Sequence, residues 1–225
     1  MKILDLINYF YCKILTMNKL HLTFVAAVLF PMHSLLKAPE ASNPATFKMN
    51  DIGCTPYDAN GVQHCTVGIP SDGLSVIRQD NTEWCWAASM SAVFAYYGHG
   101  VTQERIVQET FGSIANAPGQ PAQIFSALNR RWTDDSGNSF DVTADVQSAN
   151  AYTAIQDLSN NQPLIVGALG HAMVLTYLEY DHDVYNHVQI TIAGVRDPWP
   201  DNQNRRALSA QEFYNISFLV RIRVN

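Results

Sequence analysis

The stretch RQDNTEWCWAASMSAVFAYYG, residues 78–98, sets one cysteine between two tryptophans, where a polar run gives way to an alanine-rich one. From Cys85 to Tyr97 the residues are apolar nearly all round, which predicts a buried helix of three to four turns. Gly98, with Gly100 close behind, supplies the stop. Cys85 therefore falls at a helix start, where unpaired N–H groups and the helix dipole favour negative charge. A thiol so placed is helped towards the thiolate, the form that acts as a nucleophile. One in mid-helix is not.

A cysteine nucleophile needs a base beside it, a group to orient that base, and donors for the oxyanion. Of the seven histidines, His21 and His33 fall in the first forty residues, and His64 adjoins a cysteine. His99 lies between glycines, and His182 and His187 lie in the polar run EYDHDVYNH. Only His171 sits inside an otherwise apolar strand-like segment, GHAMVLTYL. A lone histidine there is commonly a satisfied core residue. The segment after it changes the weighing. If residues 168–178 and 187–195 form an antiparallel hairpin turning near Val184, paired residue numbers sum to about 368, and Asp197 stands opposite His171. An aspartate arriving there suits the orienting member of a triad. Taken alone, RDPWP reads as a turn in which Arg196 pairs with Asp197. Gln79, six residues before Cys85, has a side-chain amide suited to join the Cys85 N–H as an oxyanion donor.

At these residues the sequence resembles the papain-like cysteine peptidases, which present Gln, Cys, His and Asn or Asp in that order. It is similar above all to a compact bacterial branch that includes bacteriocin-leader peptidases and plant-pathogen effector proteases. Starts like NWCWAA, strands like GHAVV and a DP after the third strand recur there; this chain has EWCWAAS, GHAMVL and RDPWP. The resemblance spans residues 70–200. It implies Cys85 as nucleophile, His171 as base, Asp197 as orienter and Gln79 as oxyanion donor, with no metal or other cofactor. The chain departs from papain in having Thr82, Glu83 and Trp84 where Cys-Gly-Ser/Ala is usual. It also has Asp for Asn, and 86 residues between Cys85 and His171 against about 130–150 in papain and the cathepsins. The activity implied is a cysteine peptidase acting on protein or peptide. The same triad also serves deamidases, transglutaminases and amidases, and a secreted binding module with the same fold and no activity is the non-enzymatic alternative.

The remaining chain frames this site. Its 225 residues are 47% apolar with a net charge of −6, which suits one globular domain. The absence of Lys/Arg clusters argues against a nucleic-acid partner. Residues 17–30, MNKLHLTFVAAVLF, combine a short basic start with an apolar run too short to span a bilayer. Residues 1–41 are therefore expected to be a secretion leader, with Met17 a candidate start and an uncleaved membrane anchor the alternative. A secreted or periplasmic protein without stable membrane association after leader removal follows. Residues 42–69 read as a linker, polar over residues 38–51, and a turn-rich segment stapled by a Cys54–Cys65 disulfide. A zinc site of Cys54, His64 and Cys65 matches no common spacing. Residues 70–225 form the expected peptidase domain.

Beyond the Cys85 helix, Thr102 and Gly112 bracket a second helix, PAQIFSALNRR reads as a third and residues 151–160 as a fourth. The segments PLIVGALGHAMVLTYLEY, HVQITIAGVRD and NISFLVRIRV are strand-like, and Ser209 with Glu212 forms a capping box for a short helix. Helices first and an antiparallel sheet second make an α+β fold, with the Cys on a central helix and the His and Asp on the sheet. Residues 112–121 and 134–141 are expected loops shaping specificity.

Overall fold

The computed structural model describes residues 53–70 and 73–225. The expected leader, Met17 and most of the linker lie outside them. The helix opened by the quoted stretch is α1 (Cys85–Tyr96), and nine of its twelve residues are buried. An apolar surface on all sides demands cover on all sides. A large antiparallel sheet lies along one flank, and α2 (Gln103–Phe111) along another. Phe94 meets Trp132 and Phe140 with ring centroids 5.5 and 5.3 Å apart, so a distant hairpin closes the end of the helix. Each such ring removes enough apolar surface from water to contribute roughly 2–3 kcal/mol.

The sheet runs β1 (Gly53–Cys54), β2 (Val62–Gly68), β6 (His171–Asp183), β5 (Leu164–Ala168), β9 (Ile216–Val224), β4 (Ser139–Gln147) and β3 (Arg130–Thr133). On its other edge β6 pairs with β7 (Val188–Arg196), which pairs with β8 (Arg205–Ala207). Two short helices, α3 (Pro121–Ala127) and α5 (Ala210–Tyr214), and α4 (Ala151–Ser159) complete the fold. The α+β class expected from the sequence is the one observed. Several starts and stops follow local chemistry: the Thr102 side chain accepts from Arg105 N–H, Gly112 ends α2 at φ 75°, and the Ser209–Glu212 capping box opens α5.

Three expectations need correction. The third helix stops at Ala127, and its expected end, Arg130 and Arg131, belongs to β3. Residues 134–141 are not a free loop but a turn leading into β4, held by the Asp134 carboxylate accepting from Ser136 and Asn138 N–H. PLIVGALGHAMVLTYLEY is two strands rather than one, because Leu169 and Gly170 take φ 51° and 78° and reverse the chain between Ala168 and His171. The disulfide joins Cys54 to Cys65 at directly paired positions of β1 and β2. Both sulfurs are thus withdrawn as zinc ligands. Through β2, the stapled segment pairs along β6 rather than standing apart from the sheet.

Candidate active site

Cys85 is the first residue of α1 and is 3% exposed. Among the described residues, no side chain caps this helix, whose flanking residue is Trp84. Its first-turn N–H groups thus lack the side-chain acceptor that most helix starts recruit. The approach to it is tightly braced. Trp84 Nε1 donates to Ala115 O at 2.9 Å and Trp86 Nε1 to Ala117 O at 3.3 Å. Asn116 receives Glu83 N–H and donates to Thr82 Oγ1. A Cβ on Gly119 would stand 2.8 Å from the Trp86 ring, so only glycine lets the 112–121 loop lie so close. That loop holds the cysteine segment in place, a task its sequence did not disclose.

His171 opens β6 directly after the Leu169–Gly170 turn. Its Nε2 lies 2.7 Å from Asp197 Oδ1, and a second hydrogen bond joins the ring to Cys85. With Nε2 engaged by the carboxylate, Nδ1 is the nitrogen left for the thiol. Trp199 stands edge-on to the imidazole, with centroids 6.2 Å apart. Burial opposes charge on His171, but the hydrogen bonds and charges of Asp197 and Cys85 outweigh it and raise the imidazole to about 9. Asp197 is wholly buried. Burial would raise its carboxyl, yet hydrogen bonds from His171, Trp199 N–H and Asn202, together with the His171 charge, hold it well below the usual carboxylate range.

The register that joins His171 to Asp197 differs from the expected one. Val174 pairs with Arg196 and His182 with Val188, so the residue sum is 370, with the turn centred near Tyr185. Asp183 sets that turn by accepting from Tyr185 and His187 N–H. Two irregularities, one at Thr176 on β6 and one at Thr191 on β7, shift the register and restore it. A slip of two residues keeps side chains on the same face. His171 and Asp197 therefore meet as diagonal rather than direct neighbours. Nor does Arg196 pair with Asp197 as a local turn would suggest; its Nη1 donates to Asn204 Oδ1 at 3.3 Å.

Gln79 is 5% exposed, and its backbone N–H donates to Pro198 O beside Asp197. Its amide Nε2 donates to Asn81 O and Thr82 O at 2.8 and 2.9 Å, which engages both hydrogens. The Oε1 is buried and without a partner among the described residues. Two buried residues that sequence reasoning missed fix this segment. Gln103 donates to Arg78 O and accepts from Asp80 N–H, bracketing Gln79 from α2. Asn204 donates to both Ile77 O and Asp197 O. Arg78 adds a guanidinium bonded to Trp199 O and Asn202 O at 2.6 and 2.8 Å. A buried Gln at the start of a capped helix was the one legible signal among these.

The other described histidines are engaged elsewhere: His64 with Asp181, His99 with Asp134, His182 with Gln63, and His187 with Asp183. Among the described residues, no group of three or more His, Cys, Asp or Glu is disposed to hold a metal ion, and no helix is long and apolar enough to cross a membrane.

Two solved structures are similar at low identity. One, described as a double glycine motif protease from an AMS/PCAT transporter in complex with the leader peptide, matches at 17% identity over 66% of this chain and 90% of its own, with a TM-score of 0.43. The other, UfSP from C. elegans, matches at 12% identity over 80% of this chain and 36% of its own, with a TM-score of 0.44. No curated protein sequence matches. The model of the Peptidase_C39 like family matches residues 72–221. That span is two thirds of the sequence and contains Gln79, Cys85, His171 and Asp197, and the chain belongs to the Peptidase_C39 like family.

Proposed function

We propose that the protein is a cysteine peptidase that hydrolyses amide bonds of a protein or peptide. The observation that carries this is the linked set Cys85–His171–Asp197, assembled at the start of a buried helix in a chain of this family. His171 takes the Cys85 proton, and the thiolate attacks the substrate carbonyl to give a tetrahedral oxyanion. Collapse to the thioester expels the amine, which leaves with the proton from His171. Water then attacks the thioester, giving its proton to His171, and the returning proton restores the thiol. Asp197 holds the ring in the tautomer that directs Nδ1 at sulfur.

The Cys85 N–H is one oxyanion donor. Gln79 supplies the second by releasing one of the two carbonyls that now take its amide hydrogens, so the hole is completed as substrate binds. The Cys54–Cys65 bond, with the leader-like N-terminal sequence, supports action in an oxidising compartment, secreted or periplasmic.

The test is mass-spectrometric labelling of the purified full chain by an epoxysuccinyl inhibitor of papain-like enzymes, beside a His171→Ala variant. A single adduct on Cys85 that is lost in the variant is the expected result. Folded protein that gives no adduct, while Cys85 reacts after denaturation, sinks the peptidase reading.

A further inference from the structure

Asp197 binds more than an orienting acceptor must. Its Oδ1 takes His171 Nε2 at 2.7 Å and Trp199 N–H at 2.8 Å; its Oδ2 takes Asn202 Nδ2 at 2.7 Å and Arg206 Nε at 2.8 Å. These fill the acceptor sites of a carboxylate. Arg206 comes from β8 and is itself mostly buried, its side chain 17% exposed. It is shared between two acids. Glu212 Oε2 and Oε1 take its Nη1 and Nη2 at 2.8 and 2.6 Å, and Nη2 stands between the two acids, 2.7 Å from Asp197 Oδ2 as well, with Met173 Sδ 3.3 Å away. Glu212 is also the capping-box residue of α5, so one carboxylate starts the helix and grips the arginine.

A buried, uncompensated carboxylate 2.7 Å from the imidazole would hold the imidazolium too firmly. The proton it must later give to the leaving amine would then come off slowly, because general acids work best when their affinity for the proton is near the ambient pH. A neutral amide acceptor avoids this problem, and an aspartate needs another remedy. We infer that Arg206 is the positioning residue that fits a buried aspartate to this role: its guanidinium fixes the plane of the Asp197 carboxylate and offsets its charge, and Glu212 sets how much of that offset Asp197 receives. This rests on the peptidase reading for its purpose, though not for its measurement.

The other titratable group on the pair is Cys85 from α1. Arg196, at the end of β7, turns its Nη1 to Asn204, and Arg205, next to Arg206 on β8, lies on the opposite face of the strand, towards Arg196 and Tyr177. Arg78 binds the carbonyls of the 197–202 loop. All of these stay in place when Arg206 or Glu212 is changed. Arg206→Met removes a positive charge two bonds' reach from the imidazole, and Glu212→Gln removes a negative one while keeping a residue that serves a capping box. The two changes must therefore move His171 in opposite directions. General loosening of the site would move both the same way.

The experiment follows the Cε1–H resonance of His171 in the full chain carrying ¹³C-labelled histidine, assigned by its loss in His171→Gln. Its midpoint, expected near 9 in the wild type, should rise by about one pH unit in Arg206→Met. It should fall in Glu212→Gln and stay near the wild-type value in Arg206→Lys, which keeps the charge. An unmoved midpoint in Arg206→Met, or shifts of the same sign in Arg206→Met and Glu212→Gln, overturns the inference. If Arg206→Met does not fold, Glu212→Gln alone decides, a fall supporting the inference and any other result overturning it. The titration needs no turnover. Failure of Cys85 labelling with these shifts present counts against the peptidase alone, and labelling without the shifts counts against Arg206 alone.

Discussion

Asp157 and Asp197 are both buried and both bound to arginine, yet their surroundings differ. Asp157, on α4, takes Arg221 Nε and Nη2 at 2.7 Å each and Arg223 Nη2 at 2.8 Å. Both partners stand on β9. The result is a pin between a helix and the middle of the sheet. Asp197 divides itself among His171, an amide, a backbone N–H and an arginine already shared with Glu212. Strain and an unmet polar group lie on the segments that reach it: Leu169 holds a positive φ two residues before His171, and Gln79 Oε1 is buried without a partner among the described residues; near Asp157 the buried Tyr97 hydroxyl is likewise without one. Among the described residues, the side-chain partners of Asp157 are Arg221 and Arg223 alone. Asp197 sits where constraint is concentrated, as it is at sites whose geometry serves something other than the lowest energy.

Changing each carboxylate to its amide tests this contrast most severely. In Asp197→Asn the new NH₂ would face the Asn202 and Arg206 donors, leaving a buried guanidinium short of an acceptor. The expected loss is about 3–5 kcal/mol, measured by urea unfolding, with labelling of Cys85 slowed at least tenfold. Asp157→Asn leaves two guanidiniums whose side chains are 25% and 33% exposed, so water relieves part of the loss and about 2–3 kcal/mol is expected. Its labelling rate should match the wild type. Equal slowing in the two variants would erase the distinction between pin and site.

Acid and base separate the two regions more gently. His171 is raised from 6.5 to about 9 in the folded protein. Its stabilising contribution is therefore complete below 6.5 and is lost as pH rises through 9. Asp197 is depressed from 3.8, so its contribution is present above that value and is lost as pH falls through the lower folded one. The site thus stabilises the fold most between these limits. Unfolding free energy should decline from pH 6.5 to 9 by at most about 1.4 kcal/mol per pH unit, and His171→Gln should flatten that decline. A slope that persists in the variant would assign it to other groups.

These regions were not equally legible. Cys85 could be read because helix start, burial and stop lie within one local stretch, and His171 because a polar residue interrupts an apolar strand. Asp197 was found through a hairpin whose expected register was wrong by two residues; period-two alternation forgave the error, since an even slip preserves the face. Arg206 was beyond reach. It meets Asp197 only because β8 folds back on β7, and its neighbour Arg205 offers the same chemistry to the eye. β3 and β4 were missed although Ser139–Gln147 alternates strictly, with Phe140, Val142, Ala144 and Val146 on one face, because Asp141 and Asp145 on the other face are poor strand formers and the pairing with β9 joins distant parts of the chain. The role of the 112–121 loop was hidden for a similar reason, since its backbone carbonyls, not its side chains, hold the two tryptophans.

The smallest expected effect concerns the turn before His171. Leu169 adopts φ 51° and is 51% exposed, so it accepts a left-handed backbone with little burial in return. Such a conformation costs a branched residue roughly 1–2 kcal/mol, and asparagine bears it more easily. Leu169→Asn would leave Asn-Gly at the centre of a two-residue hairpin, the pair best suited to two successive positive φ values. Stability should rise by about 1 kcal/mol, read from the urea midpoint at unchanged slope. The labelling rate of Cys85 then shows what the strain does. If stability rises and the rate falls, the leucine contributes to the site and its strain is retained at the expense of the fold. If stability rises and the rate holds, the strain belongs to the turn alone, and the contrast between the two carboxylates rests on Arg206 and its divided charge.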